Sequence, residues 1–212
     1  MGATSKFTDR TEAGQLLAEE LNRRDIEADI VLAIPRGGLP LGRPVADALD
    51  VPLDIVVAKK IGAPGNPEYA LGAVTSDGSV WRNEEGLRGF GDNEEYFEQK
   101  RAEEAENARA KAERYREGDA PDLTDKTVVI VDDGVATGST IKACIQPVRT
   151  AADRVIVAVP VGPPHTIDEV RQMVDEVVCL QTPSSFMGVG QFYRNFEQVT
   201  DEEAMTYLEQ ES

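Results

Sequence analysis

The chain has 212 residues, 41% of them hydrophobic, which suits a folded domain with a real core and excludes a disordered polymer. Its 22 basic and 39 acidic residues give a net charge of −17, and such a surface repels nucleic acid and anionic lipid. One histidine, His165, and two cysteines, Cys144 and Cys179, exclude a Cys/His zinc centre and a disulfide framework.

No stretch approaches the roughly 20 apolar residues that a membrane span needs. The opening MGATSKFTDR lacks the apolar core of a secretory signal, and Lys6 stands where a myristoylation signal wants Ser or Thr. The expected place is therefore the cytoplasm, with no membrane partner and reduced cysteines. The acidic residues are spread along the whole chain, as in proteins that work in high salt, so a halophilic source is expected.

In chain order, residues 9–22 read as a helix. Asp9 and Glu12 have capping-box spacing, and Ala13, Leu16, Leu17 and Leu21 form one apolar stripe. DIVLAI, 29–34, is a buried strand ending at Pro35, and a helix follows over 40–49. LDIVVA, 53–58, is a second strand. Residues 60–74 are rich in Gly and Pro and read as a loop, either a closing lid or a rigid turn, with Glu68 and Tyr69 its chemically active side chains. ALGAVTSDGSVWRN, 70–83, reads as a hairpin turning at Asp77-Gly78.

Residues 84–122 are charged and alanine-rich, and 93–117 read as one long helix that Asp92 and Glu95 cap. Ala102, Ala105, Ala108, Ala112 and Tyr115 form its inward stripe, too thin for a coiled coil, so the segment is an excursion packed on one face. Strand and helix then alternate again: strand 126–131, helix 138–150 with Pro147 as an early stop, strand 154–161, helix 166–174, strand 176–180. An aromatic segment, 183–199, precedes a short helix from Asp201 capped by Thr200. The rhythm implies an α/β doubly wound, mostly parallel sheet in a single domain, 1–212, with ligands at the carboxyl ends of its strands.

VVIVDDGVATGST, 128–140, carries the chemistry. Val128 to Val131 bury a strand, and Asp132 and Asp133 emerge at its carboxyl end. Gly134 to Thr140 then open a helix, whose N-terminal N–H groups and dipole suit a phosphate. Gly138 permits close backbone approach, and Thr137, Ser139 and Thr140 add hydroxyl donors. Two adjacent carboxylates cannot help bind that phosphate. They can accept hydrogen bonds from a vicinal diol or help hold a hard cation. Diol plus phosphate describes ribose 5-phosphate.

The run resembles the 5-phosphoribosyl-1-pyrophosphate (PRPP) signature of type I phosphoribosyltransferases. The resemblance implies that Asp132 and Asp133 contact the ribose hydroxyls and that Gly134 and Ala136 to Thr140 wrap the 5′-phosphate. Hypoxanthine–guanine enzymes usually carry an acid where this chain has Ala136, so any acceptor of the base's proton lies elsewhere. In IPRGGLPLG, 34–42, the resemblance makes Arg36, Gly37 and Gly38 pyrophosphate contacts, often with a cis peptide in that loop. Lys59 and Lys60 end the second strand, and at least one is expected to face the crevice, with Arg36 and a lysine assisting departure of pyrophosphate. KIGAPGNPEYALGAV, 60–74, and the FYRNFEQVTDEE tail resemble stand-alone members of the family whose acceptor is not settled.

Of the aromatics in 183–199, most read as core anchors, while Phe186 is the candidate stacking residue of a C-terminal hood over the acceptor base. The resemblance also implies Mg²⁺ carried with PRPP, near Asp132 and Asp133, and a homodimer. Two functions stay open: transfer of the phosphoribosyl group to a nitrogen acceptor such as a nucleobase, or non-catalytic sensing of PRPP or a nucleotide.

Overall fold

In the computed structural model, residues 6–89, 94–116 and 118–209 are described, with the side chain of Glu68 left aside. Helix α1 (Arg10–Arg23) starts at Asp9, whose carboxylate accepts the Glu12 N–H at 2.9 Å. Glu12 answers by accepting from the Thr8 N–H, one residue earlier than a strict capping box. Strand β1 (Ile30–Ala33) and helix α2 (Leu39–Leu49) follow the sequence expectation closely, and strand β2 (Leu53–Ile55) comes next.

The chain then departs from it. The expected strand 53–58 stops at Ile55, and residues 60–74 are not a loop. They form β3 (Ala58–Ala63) and β4 (Asn66–Thr75), an antiparallel pair turning at Pro64-Gly65, where Gly65 takes φ +73°. The physical reason is burial: Ile61, Ala63, Leu71 and Val74 join Leu87 and Phe97 in a small core of their own. β5 (Val80–Arg82) completes this sheet after the predicted Asp77-Gly78 turn. Asp77 accepts from the Ser79 N–H at 2.9 Å, and Gly78 has φ +89°.

The excursion continues as α3 (Glu84–Gly89) and α4 (Glu94–Ala112). Asp92 lies outside the described residues. Phe97, Ala108 and Ala112 are the buried residues of α4, whereas Ala102 is exposed. The anchor is Phe97, which the alanine pattern hid. Arg82 lies over its ring at 4.5 Å and binds Glu94.

β6 (Thr127–Val131), α5 (Ser139–Ala151), β7 (Arg154–Val161), α6 (Pro164–Arg171), β8 (Glu176–Gln181) and α7 (Asp201–Glu209) complete the chain. Pro147 does not end α5. The stripe Ile141, Cys144, Ile145 and Val148 stays buried on the sheet and outweighs one lost backbone bond. Five parallel strands run in the order β2-β1-β6-β7-β8. Alternate residues serve two cores: Val128, Ile130, Val155 and Val157 face α5 and α6, while Val129, Val131, Ile156 and Ala158 face α1 and α2. Because β1 and β6 are parallel neighbours, the loops that leave their carboxyl ends meet. Among the described residues no helix is long and apolar enough to cross a membrane.

Candidate functional site

Ile34 continues β1 past its last ladder residue, its N–H donating to the Val131 carbonyl at 3.0 Å. That bond brings 35–38 against Asp132 and Asp133. The Pro35-Arg36 peptide is cis, as the resemblance implied. A Cβ on Gly38 would stand 2.6 Å from the Val131 carbonyl, and one on Gly37 would stand 2.3 Å from Oδ2 of Asp133. Gly38, hemmed in by backbone, therefore demands glycine for the close approach of the two loops, and Gly37 leaves the Asp133 carboxylate its place.

The two aspartates have different partners. Arg10 at the start of α1 donates through Nε to Oδ2 of Asp133 at 2.8 Å and through Nη1 to the Glu197 carbonyl at 2.6 Å. The same guanidinium lies 3.9 Å from the centre of the Phe196 ring. Tyr193 donates its hydroxyl to the Asp133 carbonyl at 2.7 Å. Asp132 accepts the Asp133 N–H at 2.9 Å and lines a cavity of about 180 Å³ with residues 134–141 and Val189. Burial and the neighbouring charge of Asp133 push the Asp132 pKa well above the usual carboxylate range. Burial pushes Asp133 up as well, and Arg10 pulls it back part of the way.

That cavity lies in the loop that opens α5. Gly138, with φ +81°, sits at the start of α5. Thr137 Oγ1 and Ser139 Oγ are 3.2 Å apart, and Thr166 ties the loop down by donating to the Ala136 carbonyl at 3.1 Å. Gly134, Ala136, Thr137, Gly138, Ser139 and Thr140 thus surround one hollow at a helix N-terminus, with Asp132 at its rim. Among the described residues no three His, Cys, Asp or Glu side chains gather into a metal cage. Asp133 is engaged by Arg10, which leaves Asp132 as the carboxylate suited to a cation that arrives with phosphates. Mg²⁺ is commonly held that way, by one or two carboxylates plus substrate oxygens.

The cations divide by strand alternation. Lys59 pairs with Val74 and Lys60 with Ala73, so their side chains leave opposite faces of the small sheet. Lys59 shares its face with Ile61 and Gly72, the side covered by Phe97 of α4. There it acts on Lys111 of α4, whose ammonium donates to the Pro35 carbonyl at 3.3 Å. Burial, then the charge of Lys59, hold Lys111 below the usual lysine pKa. Arg36 adds to that effect and Asp132 opposes it. Arg36 itself lies 3.4 Å from Asp201 at the start of α7, where Tyr115 also donates at 2.8 Å. Lys60, on the other face, lines a separate cavity with Trp81 and Lys142.

Arg10 and Lys111 were not singled out from the sequence. Arg10 left no local signal, since its partner is 123 residues away. Lys111 left one: it lies beside Ala108 and Ala112 on the inward side of a charged helix. Phe186 stacks on Phe192 with centroids 5.2 Å apart, and Phe192 and Tyr193 are buried. The aromatic segment is held by Phe7, which pairs with Tyr193 in an isolated bridge. Tyr69 is exposed on β4.

The sequence pattern of the family described as "Phosphoribosyl transferase domain" matches residues 8–197. Two Mycobacterium tuberculosis proteins provisionally named phosphoribosyl transferases, MT0597 and Rv0571c, are 42% identical over 205 residues, 96% of this chain. The chain spans about half the length of these curated relatives, 46%. The crystal structure of TT1426 from Thermus thermophilus is 41% identical and superposes with a TM-score of 0.88, covering 96% of this chain and 97% of that one. With a match of that extent across both sheets and both loops, the chain belongs to the phosphoribosyl transferase domain family.

Proposed function

We propose that the protein binds PRPP and transfers its 5-phosphoribosyl group to a nitrogen acceptor, of which a nucleobase is the leading class, releasing pyrophosphate. The observation that carries this reading is that two unlike groups of residues leave the neighbouring ends of β6 and β1. A helix-start loop with Asp132 at its rim suits ribose 5-phosphate. At the end of β1, in a chain of net charge −17, Lys111 donates to the Pro35 carbonyl and feels the like charges of Lys59 and Arg36. A like-charge cluster of that kind favours a polyanion, and pyrophosphate fits it.

In this reading the C1–O bond to pyrophosphate breaks and a C1–N bond to the acceptor forms, with positive charge developing on the sugar. Catalysis then rests on positioning and electrostatics rather than a nucleophile. Asp132 and Asp133 orient the ribose diol, with Asp133 fixed by Arg10. Residues 134–140 hold the 5′-phosphate. Gly37 and Gly38 offer backbone N–H groups, and Arg36, Lys59 and Lys111 stabilise the leaving charge. Mg²⁺, when bound, supplies neutralisation of the diphosphate.

A PRPP sensor without turnover is the second reading, favoured by Ala136, which places no acid in the loop to handle a base's proton. Incubation with PRPP, Mg²⁺ and a panel of bases, at low and high KCl, separates them. Transfer predicts pyrophosphate release with one or more acceptors; PRPP binding with no release from any acceptor sinks the catalytic reading.

A further inference from the structure

The face of the small sheet that carries Lys60 builds a second hollow. In register, Lys60 of β3, Ala73 of β4 and Trp81 of β5 form one cross-strand row. The middle residue contributes a single methyl group, so the row is a floor between a cation and an indole. Helix α5 faces it with Ser139, Lys142, Ala143 and Gln146, positions spaced i, i+3, i+4 and i+7 that lie on one helical face. Its centre is again an alanine. Two small residues opposed across a sheet–helix contact leave a pocket of about 380 Å³, with Met173 also in its lining. The pocket opens to solvent, with Ser139 of its lining exposed, and its size falls in the range of small-molecule pockets.

We infer that this cavity is a binding site for an aromatic anion of nucleoside monophosphate size, separate from the ribose-phosphate loop. The Trp81 indole offers the flat surface on which a base stacks. Lys60 and Lys142 bring two of only 22 basic residues to one hollow of an acidic chain. Ser139 and the Gln146 amide add hydrogen-bonding groups, and Ala73, Ala143 and Met173 supply the apolar part of the lining. The site touches the phosphate loop at two points. Ser139 belongs to both cavities, and a Cβ on Gly138 would stand 2.9 Å from Cε of Lys142. Lys142 is also paired with Glu169 of α6. A phosphate that draws Lys142 towards the hollow therefore shifts the side chain resting on Gly138, which couples occupancy of this site to the loop that holds ribose 5-phosphate.

Trp81 is the only tryptophan, so emission excited at the red edge, beyond tyrosine absorption, comes from this lining residue. AMP, GMP and UMP are titrated into the full chain with ribose 5-phosphate and Mg²⁺ present in excess. The expected result is saturable quenching by at least one nucleotide. Ala143→Leu, which fills the hollow with a good helix former, weakens that nucleotide about tenfold or more, while ribose 5-phosphate affinity by calorimetry stays within about twofold. Gln146→Met, of nearly equal size, instead removes the amide's hydrogen bonds and should also weaken that nucleotide, should the first variant not fold. Absence of saturable quenching with all three nucleotides overturns the inference. So does quenching that excess ribose 5-phosphate competes away and that Asp132→Asn, rather than Ala143→Leu, abolishes, because the nucleotide then occupies the ribose-phosphate loop. Failure of ribose 5-phosphate to bind at all counts against the proposed function instead and leaves the tryptophan titration readable.

Discussion

Replacing Arg10 with Met tests how the acidic pair is held. Arg10 and Asp133 have side chains only 12% and 15% exposed, and their 2.8 Å contact crosses from the first helix to the end of β6. Met keeps much of the apolar stem and removes the charge. Removing one partner of a buried pair leaves the other uncompensated, at a cost of about 3–5 kcal/mol. The lower end applies here, about 3 kcal/mol, because some solvent reaches both groups. Urea unfolding at neutral pH and fixed salt measures it.

Adding Asp133→Asn to the Arg10→Met variant removes the stranded charge and should restore about half of the loss or more. The deficit also has a direction in pH. Burial already raises the Asp133 pKa, and without Arg10 it rises further. A carboxyl raised in the folded state contributes stability below its unfolded pKa and loses it as pH climbs through the folded value. The variant should thus lie closest to wild type in acid and fall away towards neutrality. A loss under about 0.5 kcal/mol, or a deficit flat with pH, would refute the assignment of Arg10 as the residue that fixes Asp133.

Two further substitutions separate the halves of the crevice. Gly37→Ala puts a methyl 2.3 Å from Oδ2 of Asp133, so that carboxylate must move. Calorimetry should show ribose 5-phosphate weakened about tenfold or more, and unchanged affinity would mean that Asp133 does not meet the sugar. Lys111→Met should weaken pyrophosphate by a similar factor and leave ribose 5-phosphate alone. Since Lys111 has a depressed pKa, pyrophosphate should draw a proton onto it at alkaline pH. Calorimetry in two buffers of different ionisation enthalpy should show that uptake in wild type and less of it in the variant; equal uptake places the proton elsewhere.

What the sequence made legible was whatever depends on local order. Val128 to Thr140 reads as strand, acids, loop and helix because each step is encoded by its neighbours, and the structure has the same sequence of elements. Pro35 to Gly38 was legible for the same reason. What stayed hidden depends on distant partners. Gly and Pro in 60–74 suggested a loop, but Ile61, Leu71 and Val74 find a core with Phe97, and tertiary burial overrides local propensity. Alternation within β3 decides which lysine faces Lys111, and the apolar run 53–58 suggested that Lys59 and Lys60 end a strand rather than lie within the next one. Arg10 is ordinary as the first residue of a helix and significant only because β6 ends beside it.

PRPP binding measured by calorimetry in the presence of Mg²⁺, for wild type and for the Asp132→Asn, Asp133→Asn double variant, bears most directly on the site itself. The account predicts saturable binding by wild type and its loss in the double variant, with both proteins folded. Equal affinity in the two would contradict the placement of the ribose at the end of β6, whatever the acceptor.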